Sequence, residues 1–170
     1  MLKKEIRILG LSATPRRKGG TLVVGVIFRG SSWLDGIMTC TLKPKSERKM
    51  LKLSRAIMKS RQYSQLHAVI ISSSQRVLEQ NDHIRELARR LKLPVMLLVK
   101  GPKKTSQSFG VEQYKLDING ERLHVSAKGI SFKEAQELIT LGCAPDSRVP
   151  EAVRVADLIT KQRLCLLESQ

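Results

Sequence analysis

The stretch Val23-Val24-Gly25-Val26-Ile27-Phe28-Arg29-Gly30-Ser31-Ser32-Trp33-Leu34-Asp35-Gly36-Ile37-Met38 constrains the fold of this chain more than any other. β-Branched and aromatic residues suit a pleated surface, and Gly-Ser-Ser interrupts them, so the run reads as two antiparallel strands around a short turn. Arg29 and Asp35 flank that turn. A hydrophobic hairpin must be built into a larger sheet to be stable. Ile6 to Leu11 supplies a preceding strand, and Ser12 to Gly20, with Pro15 and the Gly19-Gly20 pair, reads as a turn-rich loop. Three consecutive strands with short links make an antiparallel meander. Lys18-Gly19-Gly20-Thr21 is no phosphate-binding loop, because it leads into strand and not into a helix.

The remainder alternates helix and strand. Ser46 is placed to cap a helix from Glu47 to about Lys59, with Met50, Leu53 and Ile57 on one face. Arg48, Lys52, Arg55 and Lys59 recur at helical spacing on the opposite face, as a solvated surface or as a ridge that follows phosphates. Ala68 to Ile71 and Pro94 to Val99 are unbroken apolar runs, expected of strands buried on both faces. Between them Asn81 or Asp82 can cap a helix that carries Ile84, Leu87, Ala88 and Leu91 inward, with Glu86 and Arg90 spaced to pair. Gly101 to Ser106 is a basic loop, and Asn119-Gly120 between two alternating segments is a type I′ hairpin signal. Ser131 with Glu134 forms a capping box for a helix stopped near Gly142, and a last helix starts about Pro150 with Val153, Ala156 and Ile159 inward. The expected fold is a single α/β domain over residues 1–170, a mixed sheet flanked by helices in the ribonuclease H-like layout.

Charge is where composition bears on function. The chain carries a net charge of +16, and residues 1–62 hold 15 basic against 3 acidic side chains. Such a field attracts polyanions, so DNA or RNA is the expected partner, with an acidic protein as the other candidate. The longest apolar run, Leu22 to Phe28, is far below the ~20 residues that span a bilayer, so a cytoplasmic protein with no membrane partner is expected. Cys40, Cys143 and Cys165 form no Cys-x-x-Cys pair and read as reduced thiols. The single Trp33 reads as core packing, with stacking on a base as its alternative. His67 and His124 have no second ligand at suitable spacing and read as packed or surface side chains.

Several segments together resemble an archaeal family. They are Val24-Gly-Val-Ile-Phe-Arg-Gly with Trp33-Leu-Asp-Gly, Ser60-Arg-Gln-Tyr-Ser-Gln-Leu, Leu93-Pro-Val, Gly129-Ile-Ser with Glu134-Ala, and Val149-Pro-Glu-Ala-Val-Arg-Val-Ala-Asp-Leu-Ile. In order and spacing they resemble the UPF0215 (DUF99, endonuclease dU-like) family, related to endonuclease V. The resemblance implies a ribonuclease H-like fold and metal-dependent cleavage of nucleic acid by carboxylates gathered at strand ends. It also implies where those carboxylates would lie, and this chain departs from each position. Ser12 and Ala13 stand where the family carries an Asp pair, Ser72 where an Asp closes a strand, and His83 where another Asp precedes a helix. Leu42-Lys43-Pro44-Lys45 replaces an acidic loop, and neither Asp82 nor Glu79 obviously rebuilds the set. A nucleophile–base grouping of Ser12, Ser72 and His83 lacks an evident oxyanion donor or orienting acid.

The sequence therefore points to a pseudoenzyme, with no metal or other cofactor, that binds nucleic acid through Arg16, Arg17, Lys18, Arg29, Arg48, Lys52, Arg55 and Lys59. The competing expectation is an active Mg²⁺- or Mn²⁺-dependent endonuclease on deaminated or otherwise modified nucleic acid, and a third is a protein-interaction subunit. DNA against RNA, the modified-base specificity, the cellular process and the oligomeric state stay open.

Overall fold

The computed structural model describes residues 5–72, 78, 80–99 and 109–168, the last five by backbone alone. Seven strands form one sheet in the order β3-β2-β1-β4-β5-β7-β6. β1 (Arg7–Pro15), β2 (Thr21–Arg29) and β3 (Trp33–Leu42) are the expected antiparallel meander, with β3 at the edge. β4 (Leu66–Ile71) lies parallel to β1, and β5 (Val95–Val99) parallel to β4. The hairpin of β6 (Glu112–Ile118) and β7 (Glu121–Lys128) closes the other side, joined by Asn119 and Gly120, both at positive φ as a type I′ turn requires. Glu79 and the basic loop Gly101 to Ser106 lie outside the described residues.

Helices α1 (Lys49–Met58) and α2 (Asn81–Leu91) cover one face of the sheet, while α3 (Phe132–Gly142) and α4 (Glu151–Glu168) cover the other. Strand periodicity divides the core accordingly. Ile8, Val24, Val26, Ala68 and Ile70 point toward α3 and α4, whereas Leu9, Leu11, Val23, Ile27, Val69 and Ile71 point toward α1 and α2. Because both faces are covered, β1 and β4 are buried along their whole apolar lengths, which explains their unbroken hydrophobic runs. No helix among the described residues is long and apolar enough to cross a membrane.

Local signals held at α3, where Ser131 and Glu134 cap each other reciprocally, and at the Glu86–Arg90 pair, 2.8 Å apart. Four readings need correction. β1 does not stop at Leu11 but runs through Ser12 to Pro15, paired with Thr21 to Val24 of β2. Pro15 is tolerated because β4 pairs with β1 only as far as Leu11, so the N–H that proline lacks would have met no neighbouring strand. Ser46 does not cap α1; its Oγ accepts the Arg48 N–H at 3.2 Å in a local turn, and the helix begins at Lys49. Asn81 and Asp82 lie inside α2, whose N-cap is Gln80, and Asp82 pairs instead with Arg85 one turn on. Trp33 is not core: on the edge strand it is 68% exposed, near Leu34 and Ile37, which are also exposed.

Gly10 sets how closely α4 seats on the sheet. A Cβ there would stand 2.3 Å from the Ala152 carbonyl carbon and 2.5 Å from the Val153 nitrogen, so only glycine lets the start of α4 lie directly on β1. That contact brings the next turn of the helix, at Asp157, over the end of the strand.

Candidate functional site

Two arrangements form where the strands and helices end. The first is at the carboxyl ends of β1 and β4, the expected metal position. Ser12 is fully buried and Ser72 nearly so, and the Ser72 N–H donates to the Leu11 carbonyl at 2.8 Å, which holds the two residues side by side. Both hydroxyls donate to one carboxylate on α4: Ser12 Oγ to Asp157 Oδ1 at 2.6 Å, and Ser72 Oγ to Asp157 Oδ2 at 2.9 Å. Thr160, one turn further along α4, lies with its Oγ1 3.0 Å from Ser12 Oγ and within reach of the Ala156 and Asp157 carbonyls; because the Ser12 hydrogen goes to Asp157, these three acceptors share the single Thr160 hydroxyl hydrogen. Buried hydroxyls need partners, and this network provides them inside the fold.

Sequence reasoning missed Asp157. Its signal was present in retrospect, since Asp157 and Thr160 place polar groups on the face of α4 that carries Val153 and Ala156 inward. His83 does not join the serines. It sits in the first turn of α2 with Nδ1 buried and without a hydrogen-bond partner. Burial lowers its pKa, Lys49 pushes the same way, and Glu86 and Asp82 oppose them without reversing the result. Ala13, buried toward α1 and α2, points to the other face from Ser12. The imagined hydroxyl–imidazole grouping is therefore replaced by hydroxyls directed at a carboxylate.

The donor set does not fit the divalent ions that ribonuclease H-like nucleases use. Mg²⁺ requires a near-octahedral shell of oxygens anchored by carboxylates. Here, among the described residues, one carboxylate accepts hydroxyl hydrogen bonds on both oxygens, from the neutral side chains of Ser12 and Ser72. Among the described residues no group of three or more His, Cys, Asp or Glu is placed to hold a metal ion.

The second arrangement is basic. A groove of about 520 Å³ runs between α1 and the edge strand β3, and Arg48, Lys52, Arg55 and Lys59 all line it, with Thr39 and Thr41 on the strand side. None of these four cations has an acidic partner recorded among the described residues. Cys40 also borders the groove; burial raises its thiol pKa against the pull of Lys52, so it stays protonated at neutral pH. Arg16, Arg17 and Lys18 form the exposed β1–β2 turn, which lies against the loop that leads to the groove residue Ser46: a Cβ on Gly19 would lie 3.5 Å from Pro44.

Arg29 belongs elsewhere, at the opposite end of the sheet. It is engaged with Asp35, which accepts from Arg29 Nη2 at 3.0 Å and from Arg7 Nε at 2.6 Å. Burial pushes the Asp35 carboxyl up, and the hydrogen bonds and charges of Arg7 and Arg29 outweigh it, holding the group below the usual carboxylate range. The Arg29 Nε is buried without a partner, so the side chain is committed to the fold.

No family model matches the chain. Curated relatives do: a UPF0215 protein of Methanothermobacter thermautotrophicus is 28% identical, covering 93% of this chain and 87% of that protein, and one of Methanosarcina acetivorans is 26% identical, covering 93% and 90%. A solved structure of a protein of unknown function from Archaeoglobus fulgidus superimposes with a TM-score of 0.76 at 16% identity, covering 93% of this chain and 98% of that one. Human endonuclease V superimposes with a TM-score of 0.63 at 15% identity, covering 94% and 84%. Ciona intestinalis endonuclease V, solved with a 24mer DNA containing an inosine followed by a ribo-adenosine, gives 0.67 at 9% identity, covering 95% and 87%.

Sheet order and helix placement are those of the ribonuclease H-like fold shared with endonuclease V. Within that fold the chain is similar along nearly its whole length to archaeal UPF0215 proteins.

Proposed function

We propose that this protein binds nucleic acid on an inherited nuclease scaffold and does not hydrolyse it. The observation that carries the reading is the α1–β3 groove, where four cations without recorded acidic partners line one channel beside the basic β1–β2 turn. Arg48, Lys52, Arg55 and Lys59 follow one another by a turn of helix, so a phosphate backbone laid along α1 meets them in succession. Arg16, Arg17 and Lys18 extend the contact toward the strand ends. There the Ser12–Asp157–Ser72 network fills the place of a metal cluster with internal hydrogen bonds. Ciona intestinalis endonuclease V, a structural neighbour solved with DNA, supports nucleic acid as the ligand class. No cofactor is required by this reading.

The test is binding of DNA and RNA by the full chain across a salt series. Each phosphate contact contributes roughly 0.7–0.9 to the slope of log K against log salt, so a steep fall is expected, and binding that does not respond to salt removes the reading. One observation favours a second reading, a residual metal-dependent endonuclease: Asp157 keeps a carboxylate at the strand ends. Incubation with inosine- or uracil-containing DNA and RNA in Mn²⁺ separates the two, since cleavage abolished by chelation would establish hydrolysis.

A further inference from the structure

We infer that the outer flank of α2 is a second contact surface, taking an unpaired stretch of nucleic acid with a base stacked on Phe109; this rests on the nucleic-acid reading above. A groove of about 450 Å³ lies where α2 meets the end of β7, and Arg85, Arg89, Lys92 and Lys128 line it over a floor of Leu93 and Pro94. The first three follow one another along α2 by a turn each. Cations in a last helical turn are accounted for by the negative pole of the helix, and Arg85 pairs with Asp82. That account stops at Lys128, which comes from a strand and is brought into the same groove. No acidic partner is recorded for Arg89, Lys92 or Lys128 among the described residues.

Phe109 supplies the second, independent observation. The residue is 94% exposed, and its carbonyl accepts a hydrogen bond from Arg85 Nη1 at 3.2 Å. Gly110, at φ +79°, follows it, and a Cβ there would lie 3.7 Å from Lys128 Nζ and 3.9 Å from Arg85 Cδ. Phe109 therefore stands at the rim, beside two of the groove cations. A ring so exposed adds almost nothing to the core, whereas an aromatic face next to cations is how proteins hold single strands: the base stacks while its phosphates are neutralised. A duplex hides the faces of its bases, so the stacking component selects unpaired nucleic acid.

Fluorescence anisotropy with the full chain, a labelled oligothymidylate single strand and a labelled mixed-sequence duplex tests this. Phe109→Ala is expected to weaken single-strand binding about 5- to 150-fold, the range corresponding to loss of one base stack, and to leave duplex binding unchanged; Phe109→Trp keeps the wild-type affinity. Lys128→Ala lowers the single-strand salt slope by about 0.7. These side chains are at the surface, and an unchanged melting temperature confirms that each variant is folded. Wild-type single-strand affinity and salt slope in both Phe109→Ala and Lys128→Ala, with Arg55→Ala impaired, would overturn the α2 surface alone. A wild-type chain that binds neither probe overturns the nucleic-acid reading and this inference together.

Discussion

Ser12 and Asp157 are 145 residues apart in the chain and 2.6 Å apart in the fold, joined by a hydroxyl-to-carboxylate hydrogen bond at the end of β1. With Ser72 on the other oxygen of the same carboxylate, the bond ties α4 to both central strands. Asp157→Ala leaves the Ser72 hydroxyl without this acceptor and reduces Ser12 to Thr160 alone. Hydrogen bonds to charged groups contribute about 1.5–3 kcal/mol, so the variant should lose on the order of 2–4 kcal/mol, read as a lower urea midpoint with an unchanged slope.

The same geometry makes a claim about metals. Ser12→Asp with Ser72→Asp would set two further carboxylates against Asp157, where like charges in close contact oppose ionisation. The double variant should melt below wild type at neutral pH in chelator and recover on addition of Mn²⁺, while the wild-type melting temperature does not respond to the ion. A wild-type response of the same size would show that the present donor set already holds a divalent cation.

Close approach at Gly10 is a separate requirement. The substitution Gly10→Ala places a methyl 2.3–2.5 Å from the α4 backbone, which no rotamer change can relieve. We expect a loss of about 3 kcal/mol or more, the upper range for overpacking, measured by chemical denaturation. An Ala variant as stable as wild type would mean that α4 can shift without cost, and the Ser12–Asp157 bond would then be the first contact to examine.

These two features also mark what the sequence discloses. Periodicity and turn chemistry are local, so the meander, the Asn119-Gly120 hairpin and the Ser131 capping box were legible from neighbouring residues. Ser12 to Pro15 was misread because its Pro and small polar residues resemble a turn, and only pairing with β2 makes them a strand. Asp157 was illegible for a different reason: the helix pattern accounts for its neighbours, and its two serine partners come from strands brought near only by the completed sheet. Trp33 failed because composition does not say which strand lies at an edge.

Acid stability should fall in two stages. His83 has a depressed folded pKa, so its contribution is fully present above the ordinary value of about 6.5 and is lost as pH falls through the lower folded value. Asp35 is depressed as well, and its contribution is present above about 3.9 and lost as pH falls below that. Urea midpoints measured from pH 7 to pH 3 should flatten in the upper window for His83→Leu and in the lower window for Asp35→Asn. Parallel curves for wild type and both variants would contradict this assignment.

Arg29 and Arg55 provide the sharpest contrast between structural and binding arginines. Both are half-buried or exposed cations in the basic first part of the chain, and sequence alone gave them the same role. Arg29 is paired with Asp35, and its removal leaves that carboxylate with Arg7 alone, so Arg29→Ala should cost about 1 kcal/mol of stability and leave the salt slope of DNA binding as in wild type. Arg55 faces the α1–β3 groove with no acidic partner recorded, so Arg55→Ala should leave the urea midpoint in place and reduce the slope by roughly 0.9. Interchanged results, with Arg29 governing the slope and Arg55 the stability, would move the nucleic-acid path to the opposite end of the sheet, beside the exposed ring of Trp33.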